Sequence, residues 1–321
     1  MSIGALSFEE YQNVAKDTDQ FTGDEEKIIH HLLNLTETVG NLSRSIEQEF
    51  RDGKAAEPYR SKIISRRLGD MLWYVSILAT RNGLKLHEIA NNNLALTKER
   101  WARSNDMKGK SLDAQYPKFE KLPAKMTIVF FDPRDSKGVK RILMSVRMDD
   151  DEWIQLGDRI DDNAPHEDGY RFHDVFHFAY VAFMGWSPVI RSLLKRKRKS
   201  NQETDRVQDG ARAANIEEAV TAYIFRYAKD VDFFINQKSV DFNILKTVVR
   251  ITSDLEVSCR TYQDWEMAIL EGYRVFRLLK DQGEGLLKLD CGQETPAKRM
   301  TLEPLNAELK AQIGLAGSSN E

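Results

Sequence analysis

Apolar residues recur every three or four positions through the first hundred residues. In residues 25–50 they form a single stripe, made of Ile28, Ile29, Leu32, Leu35, Val39, Leu42, Ile46 and Phe50. Such a stripe is typical of a helix that packs against other helices. Residues 6–16, 59–81 and 85–101 show similar spacing, and Gly83 marks the end of the helix predicted at residues 59–81. Helices with short connections favour an antiparallel bundle.

A different pattern follows this helical region. After a polar linker at residues 104–120, residues 126–133 and 141–147 are rich in β-branched and aromatic side chains, and residues 153–156 predict a further strand. These segments predict a small antiparallel sheet. Helical spacing then returns at residues 170–184, 188–199, 206–230, 241–258 and 262–280.

The sequence therefore predicts a mainly α fold with a small antiparallel β insertion between two helical regions. We assign residues 1–103 to the bundle, 104–165 to the linker and sheet, and 166–300 to a second helical domain. Residues 301–321 form the predicted tail.

Composition narrows the class of protein. The chain has 321 residues, of which 41% are hydrophobic and 30% charged, as expected for a soluble globular protein of about two domains. No window approaches the run of about 20 apolar residues that a membrane span needs, and the N-terminus does not resemble a signal peptide. We expect a cytoplasmic protein with no membrane partner, whose Cys259 and Cys291 are free thiols. A formal charge of -3 favours small-molecule partners over nucleic acid.

Candidate chemistry is concentrated in residues 166–180, which hold half of the six histidines. On a helix, His173 and His177 share one face, and Asp174 lies one position round from the first. Imidazole binds Zn²⁺, Mn²⁺ or Fe²⁺, but a stable site needs further ligands. Glu217 and Glu218, on a later amphipathic helix, are the best candidates. The alternative is a pair of ordinary buried histidines that are hydrogen-bonded to a carboxylate.

Two charged runs have simpler interpretations. Residues 195–199 are all basic, and at the end of a helix they favour a solvated last turn, with a phosphate-binding patch as the alternative. The acidic residues at 149–152 and 158–162 lack the spacing of a Ca²⁺ loop. We interpret them as solvated turns.

The bundle also carries a family resemblance. The segments LTETVGNL at 35–42, RLGDMLWYV at 67–75 and GLKLHEIA at 83–90, followed by residues 93–101, resemble the MazG-like, all-α nucleoside triphosphate pyrophosphohydrolases in order and spacing. The resemblance implies Mg²⁺, or Mn²⁺, held by carboxylates on two facing helices. It also implies cleavage of a nucleoside triphosphate to monophosphate and pyrophosphate, and assembly as a dimer or tetramer.

Carried over by position, the family's acidic motif is partly retained. Glu37 occupies its first position and Asp70 its last, so the resemblance assigns these two to catalysis and to the metal. Thr38, Asn41 and Arg67 occupy the other three acidic positions. Asn41 offers a neutral oxygen ligand, whereas Arg67 suits a phosphate or a pair with Asp70. The resemblance extends nucleotide binding to three residues near the end of the third long helix, Asn93, Lys98 and Arg100.

Residues 155–295 resemble the helical domain that follows MazG-like domains in bacterial proteins, which implies architecture but no chemistry. Two functions remain open. One is a metal-dependent nucleotide hydrolase that uses Glu37 and Asp70, or His173, His177 and Glu217. The other is a nucleotide-sensing or assembly module that contacts a protein partner, within a stress or phage-defence system for example.

Overall fold

A computed structural model describes residues 6–20, 25–52, 57–101, 111–132, 140–148 and 152–317. The chain forms two compact units, Met1–Glu99 and Arg100–Glu321. Among the described residues, every helix is either too short or too polar to cross a membrane.

The N-terminal unit contains the helices that the apolar periodicity predicts. They are α1 (Phe8–Asp17), α2 (Glu25–Asp52), α3 (Glu57–Arg81) and α4 (Leu86–Trp101). Helix α3 packs against both α1 and α2.

The Gln12 side chain connects the first helix of this unit to the turn between the last two. Its amide nitrogen donates to Thr80 Oγ1 at 3.0 Å and to the Leu84 carbonyl at 2.9 Å. Its amide oxygen accepts from the Leu86 backbone N–H at 2.8 Å. The last of these bonds satisfies a backbone donor at the start of α4, which would otherwise lack an intrahelical partner.

Many apolar side chains of the bundle face solvent. Those exposed on α2, α3 and α4 are Ile29, Leu32, Leu33, Val39, Leu68, Leu72, Val75, Ile89, Leu94 and Leu96. The large continuous core of the chain, in contrast, consists of residues from Met126 to Met300. Exposed apolar surface of this extent is typical of a face that contacts another chain.

The C-terminal unit is built on an antiparallel sheet. Its strands are β1 (Lys125–Phe131), β2 (Ile142–Arg147), β3 (Ile154–Ile160), β4 (Gly285–Asp290) and β5 (Met300–Glu303), in the order β3-β2-β1-β4-β5. Met126, Ile128 and Phe130 alternate along β1 and are buried on one face. The mainly α fold with a small antiparallel sheet is confirmed. The sequence predicts only the first three strands, whereas β4 and β5 follow the helices and complete the sheet.

Eight helices accompany this sheet in the described part of the unit. They are α5 (Asp174–Met184), α6 (Pro188–Leu193), α7 (Gln202–Val207), α8 (Ala211–Asp230), α9 (Phe242–Ile251), α10 (Tyr262–Gln282), α11 (Pro296–Arg299) and α12 (Ala307–Gly317). Every residue of α5 is buried, and α5 packs along α10. The two helices approach closely at Gly272, where an added Cβ would lie 3.1 Å from Ala179 Cβ.

The basic run at residues 195–199 differs from its predicted solvated state. Helix α6 ends at Leu193, and Lys195 has a left-handed φ of 55°. Arg198 is 1% exposed and donates to Asp209 and Glu256. The prediction of a wholly solvated turn is therefore wrong for Arg198. Two carboxylates from distant parts of the sequence compensate the burial of its charge.

Two other segments also differ from the prediction. Asp162, expected in a solvated turn, is only 8% exposed. Several backbone N–H groups donate to its carboxylate and compensate its burial. Residues 301–317, expected to be tail, contain part of β5 and α12. Residues 149–151 and 318–321 lie outside the described part of the chain.

Candidate functional site

One buried carboxylate holds the segment that precedes α5. Asp162 accepts from the backbone N–H groups of Asp168, Gly169 and Arg171 at 2.8, 2.9 and 2.9 Å, and from Arg171 Nη1 at 3.0 Å. Gly169 has a φ of 90°, a left-handed conformation that glycine adopts without strain. This turn leads into α5 with His173 at the N-cap, so the site begins on a backbone that three hydrogen bonds to Asp162 hold in place.

His177, one helical turn along α5, is fully buried and has a fixed orientation. Its Nδ1 lies 2.8 Å from Glu217 Oε1, and both side chains are 0% exposed. Glu217 also accepts from Ser187 Oγ at 2.6 Å and from the Val189 backbone N–H at 2.9 Å. An ionised carboxylate only accepts hydrogen bonds, so Nδ1 of His177 carries a proton. The second ring nitrogen, Nε2, therefore faces the other way.

Helix α8 supplies a carboxylate on that other side as well. Glu218 Oε1 lies 3.5 Å from His177 Nε2, and the Glu218 side chain is 42% exposed. Among the described residues, His177 Nε2 is buried and has no hydrogen-bond partner. Buried polar atoms in proteins are nearly always paired, so this nitrogen requires an explanation.

The first histidine is oriented by a backbone carbonyl. His173 Nδ1 lies 3.0 Å from the Tyr170 carbonyl oxygen, and the two rings stack with centroids 4.5 Å apart. A carbonyl oxygen accepts, so Nδ1 donates to it and Nε2 is the nitrogen left with a lone pair. One ligand atom from each of His173, His177 and Glu218 falls within a group whose members lie no more than 4.8 Å apart. Asp174 Oδ1 lies 3.9 Å from His173 Nε2.

The electrostatics of this cluster couple the second histidine to the two carboxylates. Burial acts to lower the pKa of His177, but Glu217 and Glu218 act more strongly together and raise it to about 10. Burial acts to raise the pKa of Glu218, but His177 and His173 lower it below its ordinary value. The cluster therefore favours a cation beside Glu218. A proton and a metal ion are the two cations that can bind to Nε2.

The bundle contains a second cluster of polar residues. Helices α2 and α3 line one cavity of about 370 Å³ with Asn34, Glu37, Thr38, Asn41, Arg67, Asp70, Trp73 and Tyr74. Arg67 Nη1 lies 3.9 Å from Asp70 Oδ2, and both side chains are more than one-third exposed. The Thr38 hydroxyl donates to the Asn34 carbonyl at 2.8 Å. The predicted residues Glu37, Asn41, Arg67 and Asp70 thus meet at one cavity.

Two of the predicted nucleotide-binding residues of α4, Asn93 and Lys98, are described by the structure and are not among those that line this cavity. Asn93 and Lys98 are exposed on that helix. The side chain of Arg100 lies outside the described residues. Their assignment to nucleotide binding stays a prediction.

A comparison with protein families identifies the family to which the larger unit is related. The family model of the MazG C-terminal domain matches residues 107–303, which is more than half of the chain. The chain belongs to the MazG C-terminal domain family. No curated protein and no solved structure matches it.

The match to the MazG C-terminal domain spans β1 to β5 and the helices between them, so the sheet is part of that domain. The His/carboxylate cluster lies within the same match. The sequence indicated His173, His177 and Glu218, which the structure brings together. Glu217, also predicted as a ligand, contacts Nδ1 of His177 and lies behind the ring.

The sequence did not indicate two residues that orient the cluster. Ser187 is the N-cap of α6, and its hydroxyl also donates to Glu217. A serine before a proline is a helix-start signal, but it carries no sign of the second bond. Tyr170 contributes its carbonyl oxygen to His173, and a backbone atom leaves no mark in the sequence.

Proposed function

We propose that the protein is a metal-dependent nucleotide hydrolase, and that it cleaves nucleoside triphosphates to a monophosphate and pyrophosphate in the bundle cavity. The observation that carries this proposal is the convergence of Glu37, Asn41, Arg67 and Asp70 on one cavity. Membership of the MazG C-terminal domain family supports it, because that domain is named as a part of MazG.

The donor set of the cavity fits a hard divalent cation. Two carboxylates and an amide supply oxygen atoms, which Mg²⁺ and Mn²⁺ prefer. Glu37, Asp70 and Asn41 would hold the ion, which, when bound, neutralises the triphosphate and polarises the attacked phosphorus. Arg67 faces the same cavity, and its planar guanidinium suits bidentate contact with a phosphate. Trp73 and Tyr74 present aromatic surface on which a base can stack.

The test is product analysis by ³¹P NMR with a mixture of NTPs and dNTPs, in Mg²⁺ and then in Mn²⁺. We expect pyrophosphate and monophosphate, and at least a 100-fold loss of rate in Glu37→Gln and Asp70→Asn. Glu47→Gln is the matched control, because Glu47 lies on the same helix, is exposed and pairs with Arg51. Product that disappears only in His173→Ala would overturn the assignment to the bundle.

One observation favours a second function, which is nucleotide sensing or assembly without hydrolysis. Arg67 stands beside Asp70, and a guanidinium there repels a cation that Asp70 would bind. The exposed apolar side chains of α2, α3 and α4 suit self-association as a dimer or tetramer, or contact with a protein partner. Saturable nucleotide binding with no product in either metal would establish this function and exclude the first.

A further inference from the structure

We propose that His173, His177 and Glu218 form a binding site for one divalent transition-metal ion of the first row in the C-terminal unit. The inference is independent of hydrolysis in the bundle, since every residue that carries it belongs to α5, α8 or their flanking segments.

The first step is the direction of the two imidazoles. Each Nδ1 is used by an acceptor, Glu217 for His177 and the Tyr170 carbonyl for His173. In the neutral form of each ring, the lone pair is therefore on Nε2, on the side away from these acceptors. Metal-bound histidines in proteins commonly donate their second N–H to a carboxylate or carbonyl in this way, which fixes the tautomer and raises the basicity of the ligand.

The second step is distance. The ligand atoms of His173, His177 and Glu218 lie within 4.8 Å of one another. A transition-metal ion binds imidazole nitrogen and carboxylate oxygen at about 2.0 to 2.2 Å, so two of its ligands are separated by up to about 4.4 Å. Small side-chain rotations close the remaining difference, and Glu218 has the freedom for them because its side chain is 42% exposed.

The third step separates a metal site from a structural ion pair. A structural ion pair with a protonated His177 explains the contacts of its two ring nitrogens with Glu217 and Glu218, but it gives no reason for the imidazole of His173 within 4.8 Å of the same ligand atoms. A buried polar atom with no partner destabilises the fold. A metal ion at this position satisfies Nε2. The partly exposed Glu218 provides the side from which the ion enters.

The ligand set defines the class of metal. Two imidazoles and one carboxylate suit Zn²⁺, Fe²⁺, Mn²⁺ or Co²⁺, whereas Mg²⁺ prefers oxygen ligands alone. Three protein ligands leave at least one coordination position open, as in catalytic zinc sites. The site therefore has room for a water molecule or an anionic group of a substrate.

The test uses the full chain, stripped of metal with a chelator and titrated with Co²⁺ as a spectroscopic probe. We expect one Co²⁺ per chain with visible d–d bands of a low-coordinate nitrogen-containing site, displaced by Zn²⁺. Glu218→Gln and His173→Ala should each weaken Co²⁺ binding at least 10-fold. Glu217→Gln should weaken it about 10- to 100-fold, as expected for the partner of a metal-bound histidine.

Matched controls separate this site from other effects. His166→Ala removes an exposed histidine of the same unit, and it should leave the titration unchanged. The double variant Glu37→Gln, Asp70→Asn should also retain the Co²⁺ spectrum, even if it abolishes turnover. Far-ultraviolet circular dichroism shows whether each variant folds, and the partly exposed Glu218 makes its glutamine variant the safest for the fold.

The proposal is overturned if the folded wild-type chain gives no d–d bands at millimolar Co²⁺. It is also overturned if the bands persist with unchanged affinity in both His173→Ala and Glu218→Gln. A wild-type chain that binds Co²⁺ but releases no pyrophosphate from any nucleotide would contradict the proposed function and leave this site standing.

Discussion

The bundle cavity and the His/carboxylate cluster hold their polar groups in different ways. In the cavity, Arg67 and Asp70 are 3.9 Å apart and more than one-third exposed. In the cluster, His177 and Glu217 are fully buried, and Glu217 accepts three hydrogen bonds of 2.6 to 2.9 Å. Buried and satisfied networks keep a single geometry, whereas exposed side chains adapt to what binds them. His177 and Glu217 are therefore held in one geometry, whereas the side chains of the cavity can adapt to a ligand.

The same contrast holds for stability, and the largest expected effect is in the C-terminal unit. Replacing Arg198 by alanine leaves Asp209 and Glu256 without their common partner in a buried site. Breaking a buried ion pair from one side costs about 3 to 5 kcal/mol. Urea unfolding monitored by circular dichroism should show this loss for the C-terminal unit.

The control for Arg198 is Arg226→Ala. Arg226 pairs with Asp230 on the surface of α8, with both side chains more than 60% exposed. Exposed pairs contribute about 0 to 1 kcal/mol, so this variant should be almost as stable as the wild type. A loss in Arg198→Ala no larger than that in Arg226→Ala would show that the buried pair adds nothing to stability.

A pH-dependent effect of intermediate size is expected at Asp162. Burial acts to raise the pKa of Asp162, but the backbone donors of Arg171, Gly169 and Asp168, together with the Arg171 charge, lower it below the ordinary value of 3.8. The unfolded chain therefore binds the proton first as the pH falls. The stabilisation by this carboxylate is present above about pH 3.8 and is lost as the pH falls through the folded-state pKa.

Asp162→Asn tests this dependence. It should lower the free energy of unfolding by about 1.5 to 3 kcal/mol at pH 7, the range for hydrogen bonds to a charged group. The difference in free energy of unfolding between variant and wild type, measured by urea titration, should become smaller toward pH 3. Asp158→Asn, on the exposed part of β3, is the control. An equal difference in free energy of unfolding at pH 7 and at pH 3 would exclude a role for the Asp162 charge.

Substitutions on the exposed apolar side chains of the bundle should change the assembly of the chain more than its stability. Leu32 is 53% exposed on α2 and Leu72 is 36% exposed on α3. Leu32→Asp should dissociate a self-associated chain in sedimentation velocity while changing the stability of its own helix by less than about 1 kcal/mol. Leu278→Asp, at 37% exposure on α10, is the matched control. A wild-type chain that is monomeric at high concentration would contradict the predicted oligomer.

The smallest expected effect on stability is at Arg67. Arg67→Gln removes a loose, solvent-exposed contact with Asp70, so the free energy of unfolding should change by less than about 0.5 kcal/mol. Nucleotide binding should weaken about 10-fold or more if the guanidinium contacts a phosphate. Isothermal titration calorimetry with a non-hydrolysable nucleoside triphosphate measures this affinity. Tighter binding of Mn²⁺ in this variant would instead show that Arg67 repels the cation.

Local patterns in the sequence predicted most of the helices. The three- and four-residue spacing of apolar side chains located α1 to α4 within a few residues, because a helix buries one stripe whatever surrounds it. The spacing of His173 and His177 also placed both on one helix face, although α5 begins after a short 3₁₀ turn at Tyr170–Phe172. These features depend on neighbours within one or two turns.

The sequence predicted the mainly α fold, and it drew attention to the residues that we propose bind a metal or a nucleotide. Tertiary structure alone decided that β4 joins β1, that Arg198 is buried, and that Glu217 and Glu218 contact opposite nitrogens of one imidazole. Each of these outcomes depends on groups distant in the sequence. Whether a charge is buried, and which carboxylate orients a histidine, depends on partners that periodicity does not encode. A charge is buried only where the packed chain supplies it with partners, and packing alone brings those partners together.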